Sequence, residues 1–233
     1  MKHMKQLIIA GSLAAIAATG CENPADGKVA AKVEETAKPK EAASAKPAAE
    51  KSAKPMAEKK MAPAFKVEGD HKLVAADSKI EWVGSKVTGK HEGGFKKFEA
   101  AASLKDGEIE GGKVMVKIMT DSLHSDDDKL TGHLSSDEFF DVKKFPEAHF
   151  VSTDVKKGGE GNFSHTVTGN LTLHGETKKI TFPATITKDG DKVKVASEFV
   201  INRKDFGMAY PGKPDDLIRD EVVIKLDLAL AKA

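Results

Sequence analysis

The segment from about Phe65 to Ala233 is predicted to be an all-β domain: an eight-stranded antiparallel barrel with a short helical insertion between strands 3 and 4. Three observations carry that expectation. Apolar and polar residues alternate at a period of two along most of the segment, and glycine-containing turn signals separate the alternating runs. One aromatic-rich stretch, Lys129 to Phe150, breaks the period with helical spacing.

The alternation is clearest where Val114, Val116 and Ile118 share one face. It recurs at Ile180, Phe182, Ala184 and Ile186, and at Val222, Ile224, Leu226, Leu228 and Leu230, with Lys, Thr, Asp and Glu opposite. One buried and one wet face is the pattern of an antiparallel sheet. Turns are expected at Gly93-Gly94, Lys105-Asp106-Gly107, Gly111-Gly112, Gly158-Gly159, His174-Gly175 and Lys188-Asp189-Gly190-Asp191. They divide the domain into strands over residues 79–89, 94–104, 112–120, 147–156, 162–173, 177–187, 191–200 and 220–231. A two-sheet sandwich satisfies the same alternation. The insertion favours the barrel, because a closed barrel has an open end to cap and no exposed edges.

Within the insertion two short helices are expected, one started by Ser125 with Asp128 and one by Ser135 with Glu138, each a hydroxyl cap with an acidic partner. Pro146 stops the helical run before a strand resumes at Ala148. Leu130, Leu134, Phe139 and Phe140 form an apolar face that must cover something, so the segment reads as a lid. The caps account for the acids and the apolar face for the large side chains. Lys129 and His133 are left without a structural task.

The N-terminal part has a different organisation. Lys2 and Lys5 precede an apolar run from Leu7 to Ala18, shorter than the roughly 20 residues that span a bilayer, so residues 1–20 are expected to be a signal peptide. Ala18-Thr19-Gly20 leads into Cys21, the only cysteine, in a pattern that resembles the lipobox of bacterial lipoproteins, with Ala18 where Leu is usual. That resemblance implies acylation of Cys21, a membrane anchor and a place in the bacterial periplasm or cell envelope. Glu22 after the cysteine favours the outer membrane. Residues 21–65 are rich in Ala, Lys, Glu and Pro, with Lys-Pro repeated at Lys38-Pro39, Lys46-Pro47 and Lys54-Pro55. Such a composition cannot bury a core and is expected to form a disordered tether that holds the domain, residues 66–233, away from the membrane.

Several function classes find no support. The formal charge of +1, with both signs interleaved, offers no basic face to nucleic acid. Once Cys21 is acylated no thiol remains for disulfides or thiolate sites. His71, His91, His124, His133, His149, His165 and His174 include no His-x-x-x-His pair, and Asp126 to Asp128 and Asp215, Asp216 and Asp220 lack the spaced loop of an EF-hand. No metal site, cofactor or catalytic residue is assigned, and no Gly-x-Ser-x-Gly is present.

Three blocks carry a family resemblance: Ser122 through Ser152, Val167 through Lys178, and Ile201 through Met208. They resemble the YceI family of bacterial periplasmic proteins, with Lys129 where Arg is common and His124 where an acid is more usual. The resemblance implies a non-catalytic, lipocalin-like barrel around a long apolar pocket for a polyisoprenoid lipid, such as an isoprenoid quinone or a polyprenyl phosphate. A homodimer is compatible with the family. Candidate pocket walls are Trp82, Phe95, Val114, Val116, Ile118, Phe150, Leu171, Phe182, Phe199 and Ile224, with Leu130, Leu134, Phe139 and Phe140 from the lid. For any one of them, filling the core of a small barrel is a stronger reading than lining a pocket. Lys129, His133 and Arg203 are the head-group candidates, and Arg203 also reads as a structural arginine paired with Asp205 or Asp220. The expected role is a periplasmic lipid carrier or reservoir. The alternative is a non-catalytic stress or surface-interaction module that uses the barrel as a scaffold.

Overall fold

The computed structural model describes residues 23–36 and 65–233. The expected signal peptide, Cys21 and most of the tether lie outside the described residues. The strands are β1 Lys32–Glu35, β2 His71–Leu73, β3 Lys79–Lys86, β4 Gly89–Phe95, β5 Phe98–Lys105, β6 Glu108–Met119 and β7 Leu123–Ser125. After helix α1, Asp128–Leu134, come β8 Glu147–Lys157, β9 His165–Leu173, β10 Glu176–Asp189, β11 Lys192–Asn202, β12 Gly212–Lys213, β13 Asp216–Leu217 and β14 Glu221–Lys232.

The main sheet closes on itself in the order β14, β11, β10, β9, β8, β6, β5 and back to β14 through β2. Leu73 and Lys79 bracket a short 3-10 turn, so β2 and β3 act as one interrupted stave along β14. That makes eight staves, all paired antiparallel, with one short helix. Leu228 and Leu230 from β14, Val193 and Val195 from β11, and Ile180 and Ala184 from β10 are buried in one interior cluster. The expected alternation therefore sets which face turns inward. Asp106-Gly107 and His174-Gly175 have positive φ at both residues and close tight hairpins, as their sequences predict.

Three expectations need correction. Neither Gly93-Gly94 nor Gly111-Gly112 is a turn: the second pair lies within β6, and the first within β4, opposite Trp82 and Glu81. The indole of Trp82 covers Gly93 so closely that a Cβ there would collide with the ring. The glycines are needed for close approach, not for reversal. The chain turns instead at Val87-Thr88, where Asp216 accepts from the Thr88 backbone and hydroxyl.

The second expected helix is also absent. Asp127, not Ser125, caps α1, its carboxylate accepting from Leu130 N at 2.8 Å. Ser135 ends that helix and does not start another, and its hydroxyl donates back to Thr131 O. Residues 136–142 continue as turns, with Glu138 engaged by His133 and not by a cap.

The third correction concerns the tether. Residues 23–36 are folded onto the barrel, with β1 paired to β10 from Lys32↔Thr181 to Glu35↔Lys178. Average composition hid a short alternation in which Ala31 and Val33 pack against the interior cluster while Lys32 and Glu34 stay exposed. A four-residue strand has no stability alone, but an open sheet edge supplies its partners.

Candidate functional site

The apolar side chains inside the barrel form two adjoining zones, with His165, Ser152 and Ser197 as buried polar residues on the inward-facing strand positions. In the central zone Phe182 stacks on Phe199, with centroids 4.3 Å apart, and meets Phe150 at 5.6 Å. Small residues make room for these rings. Ala100, Ala102, Ala148 and Ala184 are buried beside them, and Phe150 lies directly over Gly169. Val114 and Val116 complete this wall, with Ile118 and Leu171 partly buried against it.

The second zone lies under the insertion. Leu134 and Phe139 are buried with Trp82 and Leu123, and Leu130, Phe140, Tyr210 and Ile218 pack around them. Phe140 meets Phe95 edge to face at 5.8 Å. Phe95, Phe140, Val222 and Ile224 pack against both zones, so the apolar packing under the lid and in the barrel interior is continuous. One polar atom enters this surround: Trp82 Nε1 is buried without an acceptor. A buried donor of that kind is rare in folded proteins and costly unless something accepts from it.

Beside these zones a cleft of about 690 Å³ opens at the barrel wall, where the end of β4 turns sharply into β5. Its floor is Ile80, Phe95, Phe98 and Met119, and Ile80, Phe95 and Phe98 belong to or touch the interior cluster. Its polar edge carries Lys79, Lys96 and Lys97, with Glu81 and Glu99 alongside. Glu99 already accepts from Lys117 at 3.1 Å. The cleft thus has an apolar floor and an edge richer in cations than anions, which suits the boundary between an apolar chain and an anionic group.

The head-group residues named from sequence are scattered. Lys129 is exposed in the first turn of α1. His133 Nε2 lies 2.6 Å from Glu138 Oε2, and its ring stands edge-on to Phe139 and Tyr210. Arg203 is not at a rim. It is 3% exposed and donates to the carbonyls of Met208, Ile218 and Arg219 and to Asp220. Burial draws its pKa below the ordinary guanidinium value while Asp220 opposes that shift. The structural reading of Arg203 is therefore the one its contacts support. Lys79, Lys96, Lys97, Leu123 and Tyr210 were not legible as site residues. The pair Lys96-Lys97 falls at a break between alternating runs, the only local signal that the wall turns there. Among the described residues no three His, Cys, Asp or Glu side chains converge to hold a metal ion.

Comparison with known proteins agrees with this architecture. A family model described as a YceI-like domain matches residues 71–230. A UPF0312 protein of Pseudomonas putida strain W619 is 38% identical over 160 residues, 65% of this chain and 80% of the relative. A UPF0312 protein of Pseudomonas fluorescens strain SBW25 is 36% identical over the same length. Among solved structures, BcnA of Burkholderia cenocepacia superposes with a TM-score of 0.58 at 28% identity, covering 67% of this chain and 98% of BcnA. A polyisoprenoid binding domain from Saccharophagus degradans superposes at 0.55 with 16% identity, covering 71% and 100%, which is a likeness of fold. With the barrel, its lid and the family match over residues 71–230 in agreement, the chain belongs to the YceI-like domain family.

Proposed function

We propose that this protein holds one long isoprenoid lipid inside its barrel, as a carrier or reservoir in the bacterial periplasm, anchored to the membrane through an acylated Cys21. The observation that carries the reading is the apolar interior that runs without a break in packing from the phenylalanine stack to the lid, with Ile80 and Phe95 shared between it and a lysine-edged cleft. Each methylene moved from water into such a space contributes about 0.8 kcal/mol, so a chain of many carbons needs little specific chemistry to bind. The shared fold of the polyisoprenoid binding domain from Saccharophagus degradans supports the same assignment. Lys79, Lys96 and Lys97 favour a phosphate head over a quinone. The reading contains no catalytic step.

A scaffold role is the second reading, and two observations favour it. The interior phenylalanines are in mutual contact, and Val87 and Leu217 stand exposed beside each other, joined by a backbone bond of 3.1 Å. Native mass spectrometry of protein purified from its own envelope, followed by lipid extraction, decides between them. An isoprenoid adduct of one per chain is expected. Protein that carries no lipid and fails to bind added geranylgeranyl phosphate would leave the scaffold reading standing.

A further inference from the structure

The eight staves do not close the barrel along its whole height. Strands β10 and β11 pair only from Thr185↔Ala196 to Asp189↔Lys192. Beyond that point β10 continues back to Glu176 and β11 on to Asn202 without each other. Pro183 accounts for the parting. Its carbonyl faces β11 and accepts from the Ser197 hydroxyl, so its nitrogen, on the same edge, would have been the next ladder donor and has no hydrogen to give. A seam is left between the lower halves of the two strands.

The N-terminal segment fills that seam. On one side β1 pairs with residues 178–181 of β10. On the other, Ala31 N donates to Val200 O at 2.8 Å and Val200 N to Val29 O at 2.9 Å. Ala31 and Val33 point inward against the cluster that contains Ile180, Phe182, Phe199 and Ile201. Ion pairs hold the outer face, Lys28 with Glu198 and Glu34 with Lys179, while Glu35, on the same side of the strand as Val33, pairs with Lys178 at the strand's end. Ala25 packs on the outward-facing apolar residues Val83, Val200 and Val223.

This stave differs from the other eight. No hairpin joins it to either neighbour, since residues 37–64 separate it from Phe65 in sequence and its neighbours β10 and β11 are joined directly to each other. It lies outside residues 71–230, the part that the YceI-like domain model matches. Its ladder is four residues long, against eleven for β11 with β14. Its outer contacts are exposed ion pairs, the weakest kind. An element with short pairing, solvated charges and no hairpin is the one expected to open first under native conditions.

We propose that the segment from Lys28 to Thr36 is a removable ninth stave, and that the β10–β11 seam it seals is the lateral door through which the apolar chain enters and leaves. Opening it uncovers Ile180, Phe182, Phe199 and Ile201 directly, with no change in the eight-stave ring. The lid, by contrast, is interlocked with β3, β4 and β7 through Trp82, Phe95 and Leu123, so lifting it breaks a packed cluster. The door rests on the proposed lipid-binding function, and its test separates the two.

Cross-linking tests the door. Glu34 and Lys179 are directly paired across the seam and both point outward, so E34C/K179C in a Cys21→Ser chain places two cysteines where a disulfide can form without entering the pocket. Trp82, the single tryptophan, reports occupancy by its emission during titration and stopped-flow mixing with geranylgeranyl phosphate and with a short-chain isoprenoid quinone. The oxidised form is expected to load and release about tenfold more slowly or slower, with unchanged Kd, because a lock on the path leaves both end states alone. Reduction restores the rates. K28E/E34K, which breaks the two outward ion pairs without touching the interior, speeds exchange several-fold. Equal rates in oxidised and reduced protein, with binding intact, overturn the door and leave the binding reading standing. Absence of any Trp82 response and of any lipid adduct overturns both.

Discussion

Replacing Arg203 with methionine removes the donors that hold the carbonyls of Met208, Ile218 and Arg219, and it leaves Asp220 with Lys204 alone. Stability is expected to fall, as read from urea unfolding of Trp82 emission, by about 1 to 3 kcal/mol for each buried carbonyl left without a donor. Ligand affinity of the folded fraction should stay the same, and a selective loss of affinity would return Arg203 to the head-group role. Lys96 and Lys97 carry the opposite expectation. Lys96→Glu with Lys97→Glu, both exposed at the cleft, should weaken geranylgeranyl phosphate several-fold to about tenfold at low salt. Quinone binding should not change, and equal weakening of both ligands would argue against a phosphate subsite. His149 shows how burial writes a pH dependence. Its ring stacks on Phe65 at 4.3 Å, and desolvation lowers its pKa below 6.5 despite Glu147. The unfolded chain therefore takes up the proton first, so stability held above pH 6.5 is lost as pH falls from 6.5 toward the lower folded-state value. In His149→Gln, urea midpoints at neutral and mildly acidic pH should differ less than in the parent, and an unchanged difference would assign the acid sensitivity elsewhere. Arg203 was legible from Asp205 and Asp220 nearby in sequence. Lys96 and Lys97 were not, because their role depends on a fold corner that brings β3 beside them.

At the scale of elements, the lid was readable as an apolar face and unreadable as a backbone. Leu130, Leu134, Phe139 and Phe140 cover the barrel as expected, yet only one helix forms among them. A turn segment can present large side chains as well as a helix can, so spacing alone did not distinguish the two. Phe139 is buried against Leu134 and Trp82 while His133 is partly exposed beside Glu138. Phe139→Ala should thus release bound lipid faster than His133→Ala, and Phe140→Ala likewise because Phe140 touches both interior zones. The cavity left by Phe139→Ala should also cost about 3 to 5 kcal/mol. Equal lipid retention in all three variants would remove the lid assignment. Gly93 makes a related point about β4. A glycine pair is an ordinary turn signal, and only the Trp82 ring lying across it reveals that the backbone needed room instead.

For the whole molecule, alternation and turn chemistry carried most of the architecture, because a barrel face admits only one register of inward side chains. They could not find β1, whose four residues have no meaning until Pro183 has parted its neighbours. Under the proposed anchor at Cys21, that strand changes where the domain would sit relative to a membrane. A tether over residues 21–65 would hold the barrel at a distance, but Asn23 begins a turn already docked on the outer wall, with Ala25 against Val83, Val200 and Val223. Only Glu22 lies between Cys21 and Asn23, a reach of at most about 7 Å. If Cys21 carries the acyl chains, the wall made of β3, β11 and β14 is held against the bilayer, and β6, across the ring, faces away. Single cysteines at Asp26 and Lys113, exposed on the two sides, can each carry an environment-sensitive dye in acylated protein on vesicles. Brominated lipids should quench the dye at position 26 and spare the one at 113, and Cys21→Ser should move the protein to the soluble fraction and abolish the quenching. Equal quenching at both positions would mean that the docked segment releases at the membrane and that the long tether, after all, sets the distance.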